Sequence, residues 1–147
     1  MARQMIDFEG LVNCRDLGGL ALEKSGVTRS GVLFRGETPQ LMTDNDVHKA
    51  VTELGIRRVV DLRGFKKVLG AHPGGSGRLG DEGRGVNIDF VELVGGADAI
   101  NTTAEGFLVG LLDKGAEPLK VFLEYFVNTD HAVLVHCHTG KDRTGVY

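Results

Sequence analysis

The sequence has no tryptophan, only three prolines and only two cysteines among 147 residues. Cys14 and Cys137 are too few to form the disulfide framework that holds many small secreted domains together. Basic residues are not in excess either, because the formal net charge is −3, which argues against a nucleic-acid-binding surface. No apolar run approaches the roughly 18–20 residues of a membrane-spanning helix, and the N-terminus lacks the apolar stretch of a secretory signal. We therefore expect no transmembrane segment, no nucleic-acid partner and a cytoplasmic location, with signal-independent export left open.

Glycine, in contrast, is abundant, with 22 residues, and 41% of the chain is apolar. The length predicts a single domain over residues 1–147. Eight of the glycines lie in residues 64–85, which hold few apolar side chains. We predict a mobile loop within the domain there, because the chain on either side is too short for two separate cores. A functional lid and an unconstrained insertion are both open for this loop.

Apolar patterns alternate between strand and helix signals along the chain. Strands are predicted at residues 31–36, 57–62, 86–93 and 131–137, where short apolar runs are bounded by glycine or charged residues. Helices are predicted at 43–55, with Thr43 as the N-cap, and at 105–128, divided near Gly115 and Pro118. Strands that alternate with helices predict an α/β fold with a mostly parallel central sheet flanked by helices.

The final stretch, VHCHTGKDRTGVY, holds the most chemistry. Cys137 and Arg143 have the spacing C-x5-R directly after a predicted buried strand. Five residues can curl so that their backbone N–H groups point inward and hold an anion, which the N-terminus of a following helix also attracts. The same field favours a thiolate at Cys137, and the planar guanidinium of Arg143 fits two phosphate oxygens. The pattern therefore predicts a nucleophile aligned with a bound phosphate.

Proton transfer to a leaving alcohol needs an acid, and two carboxyl groups are candidates. Asp142 lies within the loop itself and is the nearest in sequence. Asp61, at the end of an upstream strand, is a second candidate. It also suits a structural role, in which it orients Arg63 or a loop N–H.

Other interpretations of this stretch are weaker. Cys137 could be an inert buried thiol, although the spacing to Arg143 argues against it. His136, Cys137 and His138 could be metal ligands, but neighbours on a strand point to opposite faces, which leaves too few ligands for a closed site. A nucleotide-binding loop of the G-x-x-x-x-G-K-[ST] type is not present. We therefore expect neither a metal nor another cofactor.

The segment HCHTGKDRTG resembles the phosphate-binding loop of the cysteine-dependent protein tyrosine phosphatases. Its Lys-Asp pair resembles the atypical bacterial PtpB/LipA-type group, which acts on phosphotyrosine and often on phosphoserine, phosphothreonine and phosphoinositides. Three upstream segments, NCRDLGGL (13–20), LFRGETP (33–39) and VVDLRG (59–64), are similar to blocks of that group. The resemblance runs through the chain in order, from residue 13 to residue 145.

This resemblance implies a role for each residue of the loop. Cys137 would be the nucleophile, Arg143 would bind phosphate and Asp142 would be the general acid. His136 would help to hold the thiolate, and Asp61 would support the site. The substrate-binding residues implied are His138, Thr139, Gly140, Lys141, Arg143 and Thr144. Among these, Lys141 would attract acidic lipid headgroups, and the hydroxyl of Thr144 would donate to the sulfur or assist its departure.

The chain differs from the family pattern in two places, and the resemblance has one further implication. Lys66 and Lys67 stand where the group often has a glutamate, so a salt bridge from that glutamate is not expected here. The group continues past the loop with several helices, whereas only Val146 and Tyr147 follow Gly145. We accordingly expect an incomplete, C-terminally truncated phosphatase-like domain of low stability, with barely one helical turn after the loop. The resemblance also places the NCRDLGG block near the loop, so Cys14 is a candidate resolving partner for an oxidised Cys137.

The function expected is phosphatase activity on phosphate monoesters through a cysteinyl-phosphate intermediate. The partner would be a phosphorylated protein or a phosphoinositide, and the physiological substrate and the oligomeric state are left open. The alternative is a catalytically impaired phosphate-binding fragment or interaction module. A third hypothesis, a redox enzyme such as an arsenate reductase, is weaker because those enzymes generally have their C-x5-R loop near the N-terminus.

Overall fold

The structure is a computed structural model, and it describes residues 5–63, 79, 87–90 and 104–146. These residues form an α/β fold with one central sheet and helices against it. The strands are β1 (Arg15–Asp16), β2 (Leu33–Gly36), β3 (Ile56–Asp61), β4 (Asn87–Phe90) and β5 (Ala132–His136). The helices are α1 (Asp44–His48), α2 (Ala104–Lys114), α3 (Ala116–Val127) and α4 (Arg143–Val146).

The sheet has the strand order β1-β2-β5-β3-β4. Strands β2, β5, β3 and β4 are parallel, and only the two-residue edge strand β1 is antiparallel. The mostly parallel sheet predicted from the alternating pattern is confirmed. Strand β1 was not predicted, because two polar residues carry no periodic signal.

The register of the three central strands determines where the functional loops emerge. Gly36 of β2 and Asp61 of β3 both pair with His136, the last residue of β5. The segments that follow β2, β5 and β3 therefore leave the sheet at the same level and on the same edge. In parallel α/β sheets this edge, at the carboxyl ends of the strands, is where ligands bind.

The core lies on both faces of the sheet. One cluster includes Val59 and Leu134 of the sheet, Val47 of α1, and Ala50 of the π-helical turn Lys49–Glu53 that follows it. The other cluster, with Val133, Val135 and Cys137 from β5 and its end, packs against the buried Leu111 of α2 and Phe122 of α3. All five residues of β5 are buried, as expected for a central parallel strand that has both faces covered. Cys137 thus continues the alternation of β5 onto the face covered by α2 and α3.

Helix α1 begins at the predicted cap. Thr43 and Asp46 form a reciprocal capping box, with the Thr43 hydroxyl accepting from the Asp46 N–H and the carboxylate accepting from the Thr43 N–H. The same carboxylate accepts the N–H groups of Glu9 and Gly10, which ties the N-terminal segment to the helix. Burial acts to raise the pKa of Asp46, but these hydrogen bonds hold it below its usual value. The helix continues as a π-helical turn and ends before Gly55, whose φ is +68°.

The predicted helical stretch at 105–128 is two helices, and the division at Gly115 is confirmed. Pro118 was also predicted to divide the helical stretch, but it does not interrupt a helix. It lies in the first turn of α3, where a missing N–H removes no helical hydrogen bond. No helix among the residues with described structure is long and apolar enough to cross a membrane.

Two sequence predictions fall mainly on residues outside the described part of the chain. The glycine-rich loop at 64–85 is outside it except for Leu79, whose side chain is fully buried in the core. The strand predicted at 86–93 is seen as β4 over Asn87–Phe90, paired in parallel with β3.

Candidate active site

The C-x5-R segment forms a loop between β5 and α4. Cys137 is the first residue after β5, and Arg143 is the first residue of α4. This strand, loop and helix order is the one that the sequence predicts. Helix α4 contains four residues, and its Gly145 N–H donates to the carbonyl of Asp142 at 3.0 Å. The single helical turn expected after the loop is therefore present.

Three consecutive carbonyl groups of this loop are held by donors from outside it. The donors and acceptors are Thr38 N to His138 O at 3.0 Å, Asn13 Nδ2 to Thr139 O at 2.7 Å, and Arg35 Nη2 to Gly140 O at 2.6 Å. Since C=O and N–H point in opposite directions across a trans peptide, the N–H groups that follow these carbonyls face the inside of the loop. The loop is therefore arranged as a nest for an anion.

Gly140 allows the loop to lie against β2. Its φ is +70°, a left-handed conformation that favours glycine. A Cβ at this position would lie 2.5 Å from the carbonyl carbon and oxygen of Gly36. No larger residue fits there without a backbone shift, so the contact between the two glycines fixes the loop relative to the sheet.

The Cys137 thiol is the buried centre of this arrangement, with 2% of the residue exposed. Burial acts to raise its pKa. The hydroxyl and N–H of Thr144, the N–H of Gly140 and the charge of Arg143 act in the other direction and outweigh it, so the pKa is lowered from its ordinary value. The sulfur is thus surrounded by donors that stabilise a thiolate.

Thr144 is buried at the start of α4, beside the sulfur. Its hydroxyl makes no hydrogen bond of ordinary geometry with the described residues, yet it lies close enough to Cys137 to lower the thiol pKa. A thiol is a weak acceptor, whereas a thiolate attracts a hydroxyl donor more strongly through its charge. A hydroxyl in this position fits a donor that strengthens its contact once the sulfur carries charge.

His136 supports the loop from within the sheet. Its ring Nδ1 lies 2.8 Å from the carbonyl oxygen of Cys137, and since a carbonyl only accepts, Nδ1 carries the proton. Burial lowers the pKa of His136, although the charge of Asp61 acts to raise it, so the imidazole is neutral near pH 7. The expected support of the thiolate therefore runs through the backbone of Cys137.

Asp61 is fully buried, and Arg63 engages both of its carboxylate oxygens. The Arg63 Nη2 lies 2.6 Å from Oδ2, its Nε lies 2.9 Å from Oδ1, and its backbone N–H also donates to Oδ1. The carboxylate is 3.7 Å from Nε2 of His136. This geometry favours the structural interpretation of Asp61 over a role in proton transfer to a substrate.

The remaining predicted residues of the loop differ in exposure, and the exposed ones form its rim. Asp142 is exposed, and Arg143 is half-buried. His138, Thr139 and Lys141 are also exposed, and Gly140 is buried. The structure therefore brings together the Cys137 thiol, the start of α4 with Arg143, and the inward N–H groups of the loop. The Asp142 carboxyl lies on the solvent-exposed side of the loop.

The metal interpretation of His136, Cys137 and His138 finds no matching geometry. The first two are buried and the last is exposed. Within the described ranges, no group of three or more His, Cys, Asp or Glu side chains is placed to hold a metal ion.

Sequence reasoning missed the residues that hold the loop from outside. Asn13 and Arg35 lie more than 100 residues from their acceptors in the loop. Glu37 fixes the first of them, since its Oε1 accepts the N–H groups of Val12 and Asn13 at 2.6 and 2.9 Å. The one signal in the sequence was a charged residue inside the short apolar strand LFRG.

The two cysteines are expected to differ sharply in reactivity. Cys14 is fully buried, and burial raises the pKa of its thiol to about 12, whereas the pKa of Cys137 is lowered. At pH 7, iodoacetamide should therefore modify Cys137 in the native protein and leave Cys14 unmodified. The pH profile of the Cys137 reaction should have its midpoint below the roughly 8.5 of a free thiol.

Peptide mapping by mass spectrometry measures both reactions. Both thiols are free in the structure. The high pKa of Cys14 argues against its role as a resolving partner, so mild peroxide should oxidise Cys137 without linking it to Cys14. Equal labelling of the two cysteines, or a Cys14–Cys137 disulfide, would contradict this assignment.

Comparisons with known proteins add to this geometry. The model of the tyrosine phosphatase family matches residues 6–147. Among solved structures, the chain is similar to the core catalytic domain of the PP-IP phosphatase SIW14 from S. cerevisiae, in complex with citrate. The identity is 18% and the TM-score 0.49, over 77% of this chain and 55% of that one, so the chain spans about half the length of that structure. No curated protein matches the sequence.

Proposed function

The chain belongs to the tyrosine phosphatase family, and on this premise we propose that it hydrolyses phosphate monoesters through a phosphorylated Cys137. The observation that carries the proposal is the thiol itself, which is buried, has a lowered pKa and lies in a loop whose N–H groups face inward. The proposed substrates are phosphotyrosine and, with it, phosphoserine, phosphothreonine or phosphoinositides.

In the first step the Cys137 thiolate attacks phosphorus opposite to the ester oxygen. A bond forms between sulfur and phosphorus, and the bond between phosphorus and the ester oxygen breaks. Asp142, as the acid on the exposed side of the loop, donates a proton to the leaving oxygen. The inward N–H groups and the Arg143 guanidinium bind the non-bridging oxygens, whose negative charge they stabilise in the transition state.

In the second step water attacks the phosphorus of the phosphocysteine. The Asp142 carboxylate accepts a proton from the water, the bond between sulfur and phosphorus breaks, and inorganic phosphate is formed. Thr144 donates towards the departing sulfur and so stabilises the thiolate that is regenerated. Protons and charge balance over the cycle, since the acid of the first step is restored by the second.

The exposed rim suits a substrate that carries further negative charge. Lys141 lies next to Asp142 and is exposed, as are His138 and Thr139. An ammonium at this position attracts phosphoinositide headgroups or acidic residues that flank a phosphorylated side chain. This is the basis for including lipid phosphates among the proposed substrates.

A release assay for inorganic phosphate tests the proposal. A phosphotyrosine peptide, a phosphoserine peptide and a short-chain phosphoinositide are compared with EDTA present throughout. We expect release from the phosphotyrosine peptide at the least. In a separate assay without EDTA, which would complex vanadate, we expect competitive inhibition by vanadate, an analogue of the pentavalent transition state. Binding of phosphate without any release would favour the alternative, a phosphate-binding module. A protein that neither binds nor releases phosphate would overturn both hypotheses. Activity that only added zinc restores would point to a different chemistry.

A further inference from the structure

Arg35 is a charged residue within β2, a strand in which the alternate residues Phe34 and Gly36 are buried. It lies on β2, next to β5, and pairs in register with Val135, two residues before Cys137. Phe34, its neighbour in the strand, is buried in the core, whereas Arg35 is half-buried. A guanidinium placed there is expensive to desolvate unless it has specific acceptors.

One contact of this guanidinium is with the phosphate loop. Nη2 of Arg35 donates to the carbonyl oxygen of Gly140 at 2.6 Å, a short bond from a charged donor. The same nitrogen lies 3.5 Å from the position that a Cβ on Gly145 would occupy. The guanidinium therefore lies between the middle of the loop and the first turn of α4, at both of the segments that surround the anion nest.

The orientation of one peptide group follows from this contact. When the carbonyl of Gly140 points to Arg35, the N–H of Lys141 on the same peptide points to the inside of the loop. Withdrawal of electron density from a carbonyl also makes the N–H of its peptide a stronger donor. Of the three outside donors, the Thr38 donor is a backbone N–H, and the Asn13 amide is neutral. Arg35 is the one charged side chain among these three donors.

We propose that Arg35 is a positioning residue of the phosphate loop, which fixes the Gly140–Lys141 peptide and the start of α4 without touching the substrate. The inference rests on the function proposed above. It assigns to β2 a part in catalysis that acts through the loop. Replacing a purely structural arginine would change the stability alone. Replacing a positioning residue would also change the anion affinity and the pH at which the Cys137 thiol ionises.

Arg35→Met and Arg35→Lys test this, with Arg15→Met as the matched control. Arg15 pairs with Arg35 across the sheet, but its Nε lies against the Met5 sulfur at 3.1 Å. Each protein is titrated with inorganic phosphate, and the rate of Cys137 alkylation is measured against pH.

For Arg35→Met we expect phosphate affinity to fall about 10- to 100-fold, as for the loss of a charged hydrogen bond. The midpoint of alkylation should move to higher pH, and Arg35→Lys should recover part of both effects. The control should match the parent protein in both measurements.

Thermal unfolding separates positioning from folding. If Arg35→Met does not fold, the lysine variant decides, because an ammonium keeps the positive charge but lacks the planar fork of the guanidinium. A folded Arg35→Lys protein with weakened phosphate binding supports the proposal, and one with the affinity and alkylation profile of the parent overturns it. A parent protein that neither binds nor releases phosphate refutes the proposed function, whereas an active parent with unaffected Arg35 variants refutes this inference alone.

Discussion

The Cys137→Ser protein is expected to bind phosphate and to release none from any ester. Serine keeps the size of the side chain and the inward N–H groups, so the anion site remains. Its hydroxyl has a far higher pKa than a thiol, and the loop that stabilises a thiolate cannot supply the missing nucleophile. Loss of a nucleophile typically removes on the order of 10⁴-fold or more of the rate.

Two measurements on matched variants check this expectation. Turnover is followed with an aryl phosphate, and phosphate affinity is followed by titration, for Cys137→Ser and for Cys14→Ala. The Cys14 thiol is buried and its pKa is raised to about 12, so its removal should leave turnover of the folded protein within a few-fold of the parent. Turnover by the serine variant at a rate near that of the parent would exclude the phosphocysteine mechanism.

The pH dependence should follow the same thiol. Because the pKa of Cys137 is lowered, the thiolate fraction should rise with pH, and the ascending limb of kcat/KM should lie below the pH at which an ordinary cysteine ionises. The neutral His136 contributes to this by holding the Cys137 carbonyl and not by adding a positive charge.

The position of the loop could be predicted from the sequence because its signals are local. A continuous apolar strand, a cysteine, a glycine and an arginine at fixed spacing are consecutive in the chain, and backbone physics links them directly. The N-cap at Thr43 and the division at Gly115 were predictable for the same reason. Pro118 was misjudged because a proline signal does not say whether it ends a helix or begins one.

The residues that hold the loop could not be predicted, because their contacts are made by the fold. Arg35 reaches Gly140 only because β2 is placed beside β5, and nothing in the sequence states which strands are neighbours. The same applies to Asn13, whose position depends on a two-residue strand and on the Glu37 carboxylate. The sequence indicates the chemistry of this site, whereas the long-range pairing of strands determines its support.

The second large effect is expected at Asp142. If this carboxyl protonates the leaving oxygen, Asp142→Asn should lower turnover of phenyl phosphate by roughly 10²–10⁴-fold. The deficit should shrink as the leaving phenol becomes more acidic, because an acidic phenol departs without a proton. Asp142 is exposed at the rim, so its replacement should leave the unfolding temperature unchanged.

Asp61→Asn is the comparison that assigns the acid. Its carboxylate is fully buried and bound on both oxygens by Arg63, whose side chain is 8% exposed. Removing one partner of such a pair leaves a buried charge without its counterion, at a typical cost of about 3–5 kcal/mol in stability. We therefore expect Asp61→Asn to lower the unfolding temperature strongly, while the turnover that remains per folded molecule shows the same dependence on the leaving group as the parent. If instead Asp61→Asn, and not Asp142→Asn, showed the steeper dependence on the basicity of the leaving phenol, the acid would be the buried carboxylate, and the exposed Asp142 would serve only to shape the loop.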